Sequence, residues 1–161
     1  MIDIGIKSAN GKFKLRTTGI IIKDNKLLVQ KSKKFDGYIL PGGHIELGEL
    51  SSNAIIREIK EETNLDVKIK HLICVNENTY GDKNMIFHEI NYYYYLEPIN
   101  DIETKEFTIE ENDKGILKKQ EYFWIDINEL SKNNIKPIHI VDLIEKNINS
   151  KDLIISTNEI K

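Results

Sequence analysis

The chain has 161 residues, of which 40% are hydrophobic and 30% are charged, and its formal net charge is −3 at pH 7. These values are typical of a soluble globular protein, and the length predicts a single domain over residues 1–161. The one cysteine excludes a disulfide framework and a thiolate metal cluster, and the acidic balance argues against a nucleic-acid partner. We expect a cytoplasmic protein with no membrane partner, since no signal pattern or membrane-spanning apolar run is present.

β-rich runs separated by turn residues fill the region before residue 43. Runs of branched and apolar residues predict strands, whereas clusters of Asp, Asn, Pro and Gly predict turns. Glycine allows the backbone to turn tightly and to approach other groups closely. The predicted elements are a strand at Thr17–Ile22, a hairpin turn at 23–25, a strand at Lys26–Gln30, a short strand at Tyr38–Leu40 and a stop at Pro41-Gly42-Gly43.

The next segment predicts a helix from about Leu50 to Thr63 with two chemically different faces. Because successive helix residues rotate by about 100°, three acids share an arc of roughly 100°: Glu58, Glu61 and Glu62. Three isoleucines on the neighbouring arc are expected to anchor the helix on a core: Ile55, Ile56 and Ile59. Crowded carboxylates repel one another, and Mg²⁺ removes that repulsion, so the pattern predicts a metal site.

The second half of the chain predicts further strands, a long loop and a C-terminal helix. The polar, acidic segment from Glu97 to Gln120 is interpreted as the long loop, and residues 150–161 fit either a strand or a loose tail. This order of elements indicates an α/β protein with a mixed sheet between helices. The other predicted elements are strands at Val67–Val75, Ile86–Leu96 and Glu121–Ile127, a loop at 80–84, a turn or short helix from Ile127 and a helix at Ile138–Ile148.

Residues 43–65 resemble the catalytic box of the Nudix hydrolases. That box reads Gly, five residues, Glu, seven residues, then Arg-Glu-aliphatic-x-Glu-Glu-x-Gly-aliphatic. Eight residues fall on the pattern: Gly43, Glu49, Arg57, Glu58, Ile59, Glu61, Glu62 and Leu65. Asn64 stands where the family has a helix-ending glycine, and asparagine is the next most tolerant residue of the left-handed conformation. The resemblance implies a Nudix-type α/β/α sandwich.

The resemblance also implies hydrolysis of a phosphoanhydride bond in a nucleoside diphosphate linked to another group X. It implies Mg²⁺ as the cofactor, with Mn²⁺ also compatible. The implied metal ligands are the carbonyl of Gly43 and the carboxylates of Glu58, Glu61 and Glu62. Arg57 is expected to orient these acids. The main candidates for the general base are Glu49, Glu62 and Glu121. Further candidates in the acidic segment stay open: Glu103, Glu106, Glu110 and Glu111.

Recognition of the nucleotide is weakly marked in the sequence. Glu46 is a candidate for contact with metal or substrate, and Lys31, Lys33 and Lys34 are candidates for contact with distal phosphates. Tyr38 and Tyr80 could stack on a base. Each of these side chains fits an ordinary structural role equally well, since aromatic residues on strands usually pack in a core and lysines at a hairpin end are usually solvated.

Three functional hypotheses follow. The first is a metal-dependent hydrolase of nucleoside diphosphate-X compounds, including MutT-like removal of modified nucleotides. The second is a nucleotide-binding sensor on the same fold, and the intact set of box carboxylates argues against it. The third is hydrolysis of the 5′ end of RNA, which requires a basic channel that the net charge of −3 does not suggest. The resemblance leaves a homodimer open.

Overall fold

A mixed β-sheet is the centre of the molecule in the computed structural model, which describes residues 2–113, 116–147 and 154–160. The strands are β1 (Gly5–Lys7), β2 (Gly11–Lys23), β3 (Lys26–Lys31), β4 (Tyr38–Ile39), β5 (Val67–Gly81), β6 (Ile86–Pro98), β7 (Phe107–Asp113), β8 (Ile116–Asp126), β9 (Ile135–Lys136) and β10 (Ile154–Ile160). The helices are α1 (Ser51–Thr63), α2 (Ile138–Asn147) and a 3₁₀ helix at Ile127–Lys132.

The strands are ordered β10-β5-β6-β2-β3-β4-β9 across the sheet. β1 pairs with the first half of β2, at residues 12–14, and β8 pairs with both β3 and β7. The pairs β2–β6, β5–β10 and β4–β9 are parallel, whereas the other strand pairs are antiparallel. The predicted mixed sheet is therefore confirmed. Within the described residues, no helix is both long and apolar enough to cross a membrane.

The central strands are apolar on both faces, which gives the sheet one hydrophobic layer on each side. Neighbouring residues of a strand point to opposite faces. Ile20 accordingly packs in a cluster with Ile140 of α2, whereas Ile21 packs in a second cluster with Ile55 and Ile59 of α1. The two helices therefore cover opposite faces, and the α/β/α sandwich is confirmed. Ile56 was expected in this core as well, but it is 41% exposed.

The prediction of a long loop between residues 97 and 120 is wrong, because β7 and the start of β8 lie within it. The first four residues of β7 alternate apolar and polar side chains, and Phe107 and Ile109 pack against the α1 cluster. Phe107 also stacks on Tyr122, with ring centroids 4.9 Å apart. The high content of charge concealed a strand with one buried face.

Other predicted strands exist but are longer than their apolar runs. β2 begins at Gly11, and β5 continues to Gly81, which takes in the first two positions of the expected loop at 80–84. Residues 150–161 were expected to form either a strand or a loose tail. Within them, Ile154–Ile160 form the strand β10, which pairs with β5. The short helix from Ile127 and the helix beginning at Ile138 are confirmed, and Ile148 lies outside the described residues.

Asn64 ends α1 in the left-handed conformation, with φ 60° and ψ 10°, and its N–H donates to the carbonyl of Lys60. We expect Asn64→Gly to be neutral or mildly stabilising, and Asn64→Ala to lower the free energy of unfolding by about 1 kcal/mol, because a Cβ is strained in this conformation. Urea denaturation of both variants measures the difference. A loss of more than about 1 kcal/mol in Asn64→Gly would contradict this assignment.

Candidate active site

Helix α1 carries the box acids because its opposite face is fixed in the core. Ile55 and Ile59 are fully buried against the sheet. Leu50 precedes the helix in an extended conformation and places the loop of residues 43–49 beside its first turns. Two of the acids, Glu58 and Glu62, therefore lie against the glycine turn at residues 41–43.

Arg57 holds the acids together. Its Nε and Nη2 donate to the two carboxylate oxygens of Glu49, both at 2.9 Å. Its Nη1 donates to Glu58 at 3.0 Å and to Glu61 at 3.1 Å, and Nη2 also donates to the carbonyl of His44 at 3.1 Å. One guanidinium thus fixes three carboxylates and the loop, and a planar five-donor group is suited to this.

Glu62 reaches the glycine turn directly. One of its carboxylate oxygens accepts the backbone N–H of Gly42 at 2.9 Å. The carbonyl of Gly42 accepts from Arg16 at 3.1 Å, and the carbonyl of Gly43 accepts the N–H of Thr17 at 3.0 Å. The turn is therefore held between α1 on one side and strand β2 on the other.

Gly43 lies in contact with Glu58. A Cβ built on Gly43 would lie 2.2 Å from the carboxylate of Glu58, so only glycine leaves room for this acid beside the backbone. The side chain of Glu58 is 15% exposed. Burial raises the pKa of the Glu58 carboxyl, and the neighbouring guanidinium of Arg57 opposes that shift. A bound cation would favour the ionised form of this buried acid.

The donor chemistry of this site fits a hard divalent cation. The carboxylates of Glu58, Glu61 and Glu62 and the carbonyl of Gly43 offer oxygen ligands only, which Mg²⁺ prefers. They are not gathered to one point, since no group of three or more His, Cys, Asp or Glu residues in the described parts of the chain has metal-binding spacing. Glu61 is 59% exposed, so its side chain is free of the packing that would prevent a change of rotamer.

The NUDIX domain model matches residues 13–143, which include the whole site described above. The chain belongs to the Nudix family. An ADP-ribose pyrophosphatase from Methanocaldococcus jannaschii is 44% identical over 84 residues, a stretch that covers 50% of this chain and 48% of that protein. The chain thus spans about half the length of the curated relative it matches.

Solved structures support the Nudix fold over most of the chain. An ADP-ribose pyrophosphatase from Streptococcus suis has a TM-score of 0.58 at 14% identity, and the likeness covers 91% of this chain and 98% of that one. A mutator MutT protein from Bacillus halodurans also has a TM-score of 0.58, at 17% identity, with 90% and 89% covered. At these identities the likeness establishes the fold alone.

Three residues predicted for the Nudix site lie together but away from the box acids. The carboxylate of Glu121 is near Lys31, and the ammonium of Lys31 pairs with Asp36 at 2.8 Å and lies 5.0 Å from the ring centroid of Tyr38. Glu121 is exposed, whereas the next residue, Tyr122, is buried and lines a small cavity with Glu61 and Glu62. Alternation along β8 therefore turns Glu121 away from these two acids.

Two other predicted residues lie closer to the box. The backbone N–H of Glu46 donates to Glu49 at 3.2 Å, and its Oε2 is buried with no hydrogen-bond partner in the described structure. Tyr80 stacks on Phe87, with ring centroids 5.0 Å apart, and lines a cavity of about 430 Å³ that also contacts Arg16. Glu46 thus lies beside the box acid Glu49, and Tyr80 lies in the wall of the cavity.

Sequence reasoning identified Lys34 and Tyr80 of this cavity as candidates for substrate contact, but it did not identify the other polar residues, which include Lys14, Arg16, Asn76 and Glu89. Lys12, Lys14 and Arg16 recur at every second position of β2, and this alternation is a sequence signal for one cationic strand face. The asparagine and the glutamate carry no such signal, because they become neighbours only through strand pairing.

Arg57→Lys is expected to lower kcat/KM by about 10- to 100-fold, since lysine cannot form the paired bonds to Glu49 while it also contacts Glu58. Steady-state kinetics with a nucleotide substrate and Mg²⁺ would measure this loss. Lys60→Arg, one turn away on the exposed side of α1, is the control and should leave kcat/KM unchanged. Full activity of Arg57→Lys would show that the guanidinium does not position the acids.

Proposed function

We propose that this Nudix protein is a divalent-metal-dependent hydrolase that cleaves the phosphoanhydride bond of nucleoside diphosphate-X compounds. The observation that carries the proposal is the set of four box carboxylates that Arg57 and the Gly42 amide hold beside the glycine turn. ADP-ribose is the first substrate to test, because the Methanocaldococcus and Streptococcus relatives are named as ADP-ribose pyrophosphatases.

We propose Glu58, Glu61, Glu62 and the carbonyl of Gly43 as the residues that hold Mg²⁺ or Mn²⁺. When bound, the cation neutralises phosphate oxygens and polarises water. Arg57 keeps Glu58 and Glu61 in place by hydrogen bonds of 3.0 and 3.1 Å. It also stabilises the ionised form of Glu49.

Glu62 is the proposed general base. Both oxygens of Glu49 accept from Arg57, and one of them also accepts the N–H of Glu46, so that carboxylate has little capacity to take a proton. The hydrogen bonds from Arg57 lower the pKa of Glu49, which weakens it further as a base. Glu121 is set aside because it lies on the other face of β8.

The test is release of AMP or phosphate from a nucleotide panel in the presence of Mg²⁺, Mn²⁺ or EDTA. The panel holds ADP-ribose, canonical and oxidised nucleoside triphosphates, dinucleoside polyphosphates and 5′-triphosphate RNA. Turnover that requires the metal supports the proposal, and the preferred compound names the substrate class. Nucleotide binding by folded protein without turnover of any compound would overturn it in favour of a sensor.

A further inference from the structure

The cavity of about 430 Å³ lies between the polar face of β2, β6 and β5 and residues 136–139 at the start of α2. This volume is within the range of small-molecule sites. Arg16 lines the cavity and also donates to the carbonyl of Gly42 at 3.1 Å. Arg16 therefore links the wall of the cavity to the glycine turn of the Nudix box.

Strand pairing builds the polar wall of this cavity. Lys14 lies opposite Glu89, and Arg16 lies opposite Asn91, in the parallel pair of β2 and β6. Asn76 of β5 lies opposite Asn91 on the other side of β6. Residues directly opposite on paired strands point to the same face of the sheet, so these side chains meet in one place.

The cavity has an excess of positive charge on a chain whose net charge is −3. Four cations line it against the single carboxylate of Glu89: Lys14, Arg16, Lys34 and Lys136. Glu89 lies 3.9 Å from Arg16, and the three lysines have no ion pair with any described residue. Burial lowers the pKa of Lys14, the charge of Glu89 opposes that shift, and the charges of Arg16 and Lys34 lower the pKa further. Lys14 and Arg16 are half-buried, whereas Lys34 and Lys136 are exposed, and cations grouped in this way favour an anionic ligand.

The neutral part of the wall contains a buried acceptor that has no partner among the described residues. Asn76 is 2% exposed, and its Oδ1 has no hydrogen-bond partner in the described structure. Asn91, by contrast, donates to Thr18 at 2.9 Å and accepts from it at 3.1 Å. An unsatisfied buried acceptor is costly, and a ligand hydroxyl would satisfy it after a small rotation of the amide.

We propose that this cavity binds a phosphorylated sugar of the substrate, with the phosphate against Lys14 and Lys34 and a sugar hydroxyl near Asn76. The inference rests on the proposed function and specifies its substrate class: a nucleoside diphosphate-X compound that carries a phosphomonoester besides the scissile diphosphate. A polyphosphate tail would satisfy the lysines, but it offers no donor to Asn76.

The test compares compounds that differ by one phosphate: ADP-ribose, ADP-ribose phosphorylated on the 2′-hydroxyl, ADP-ribose phosphorylated on the distal ribose, and ATP. One of the two phosphorylated compounds is expected to exceed ADP-ribose in kcat/KM by about tenfold, the size of one charge-assisted contact. Lys14→Met with Lys34→Met should abolish that difference. Lys132→Met removes an exposed lysine outside the cavity and should retain it.

The inference would be overturned if the kcat/KM values of all compounds lay within about twofold of one another. It would also be overturned if ATP were preferred over ADP-ribose as strongly as the phosphorylated compound is. Isothermal calorimetry on the Glu62→Gln variant in EDTA gives a readout that does not depend on turnover. If the phosphorylated compound binds more tightly but nothing is hydrolysed, the proposed function fails and the cavity assignment stands. If ADP-ribose is hydrolysed without any preference, the cavity assignment fails and the proposed function stands.

Discussion

Glu62→Gln is expected to keep the fold and to lower kcat/KM by about 10²- to 10⁴-fold, the usual contribution of a general base. Its amide oxygen can still accept the N–H of Gly42, which lies 2.9 Å from the present carboxylate. The variant lacks the negative charge that a metal ligand supplies, and it cannot take a proton from water. The loss should therefore appear in kcat without a matching loss of stability.

The measurement is steady-state hydrolysis of the preferred nucleotide, with urea denaturation of the same preparation. Glu129→Gln removes an exposed carboxylate that pairs with Lys132 at 3.3 Å, and it serves as the control. Glu49→Gln gives a second comparison, because it should mainly weaken the contacts of Arg57. If Glu62→Gln keeps more than about a tenth of the activity, Glu62 is not the base.

Gly42→Ala is expected to lower the free energy of unfolding by about 3 kcal/mol or more. Gly42 has φ +142°, and a Cβ there would lie 2.3 Å from the carbonyl oxygen of Thr17 and 2.8 Å from the Cα of Thr18. Both contacts are backbone atoms of β2, so a change of rotamer cannot relieve them. The turn would have to move away from the strand, and this movement would break the hydrogen bond from the Gly42 N–H to Glu62.

Gly48→Ala provides the matched control, because Gly48 also has a positive φ, +87°, but nothing lies within 4 Å of a Cβ there. Only the backbone strain of about 1–2 kcal/mol is expected for it. Urea denaturation with a comparison of m-values would separate the two variants. Equal losses would show that the contact with β2 does not determine the stability of the turn.

The catalytic turn and the helix could be predicted because their signal is local. The spacing of Glu58, Glu61 and Glu62 places them on one helical face whatever the rest of the chain does, and Asn64 reports the helix end. The extra length of β2 and β5 could not be predicted in this way. Polar side chains line the cavity there, so the strands have no apolar run that marks their extent.

The positions of the outlying residues could not be predicted, because they depend on pairing between distant segments. Glu121 was a candidate for the general base because of its position in the sequence. The face of β8 on which its side chain lies is determined by the antiparallel pairing with β3. Asn76 and Asn91 are 15 residues apart in number and adjacent only through the β5–β6 hairpin. A single sequence does not state which face such residues share.

The two-sided apolar character of the strands has a consequence for folding specificity. Sliding β2 by one position would exchange Ile20 for Ile21 and leave both layers hydrophobic, so burial alone barely opposes such slippage. The Thr18–Asn91 pair does oppose it, because a displaced strand would leave a hydroxyl and an amide buried without partners, at about 1–3 kcal/mol each. These two polar residues therefore select one strand alignment among several that bury similar apolar surface. They contribute more to the specificity of the fold than to its stability.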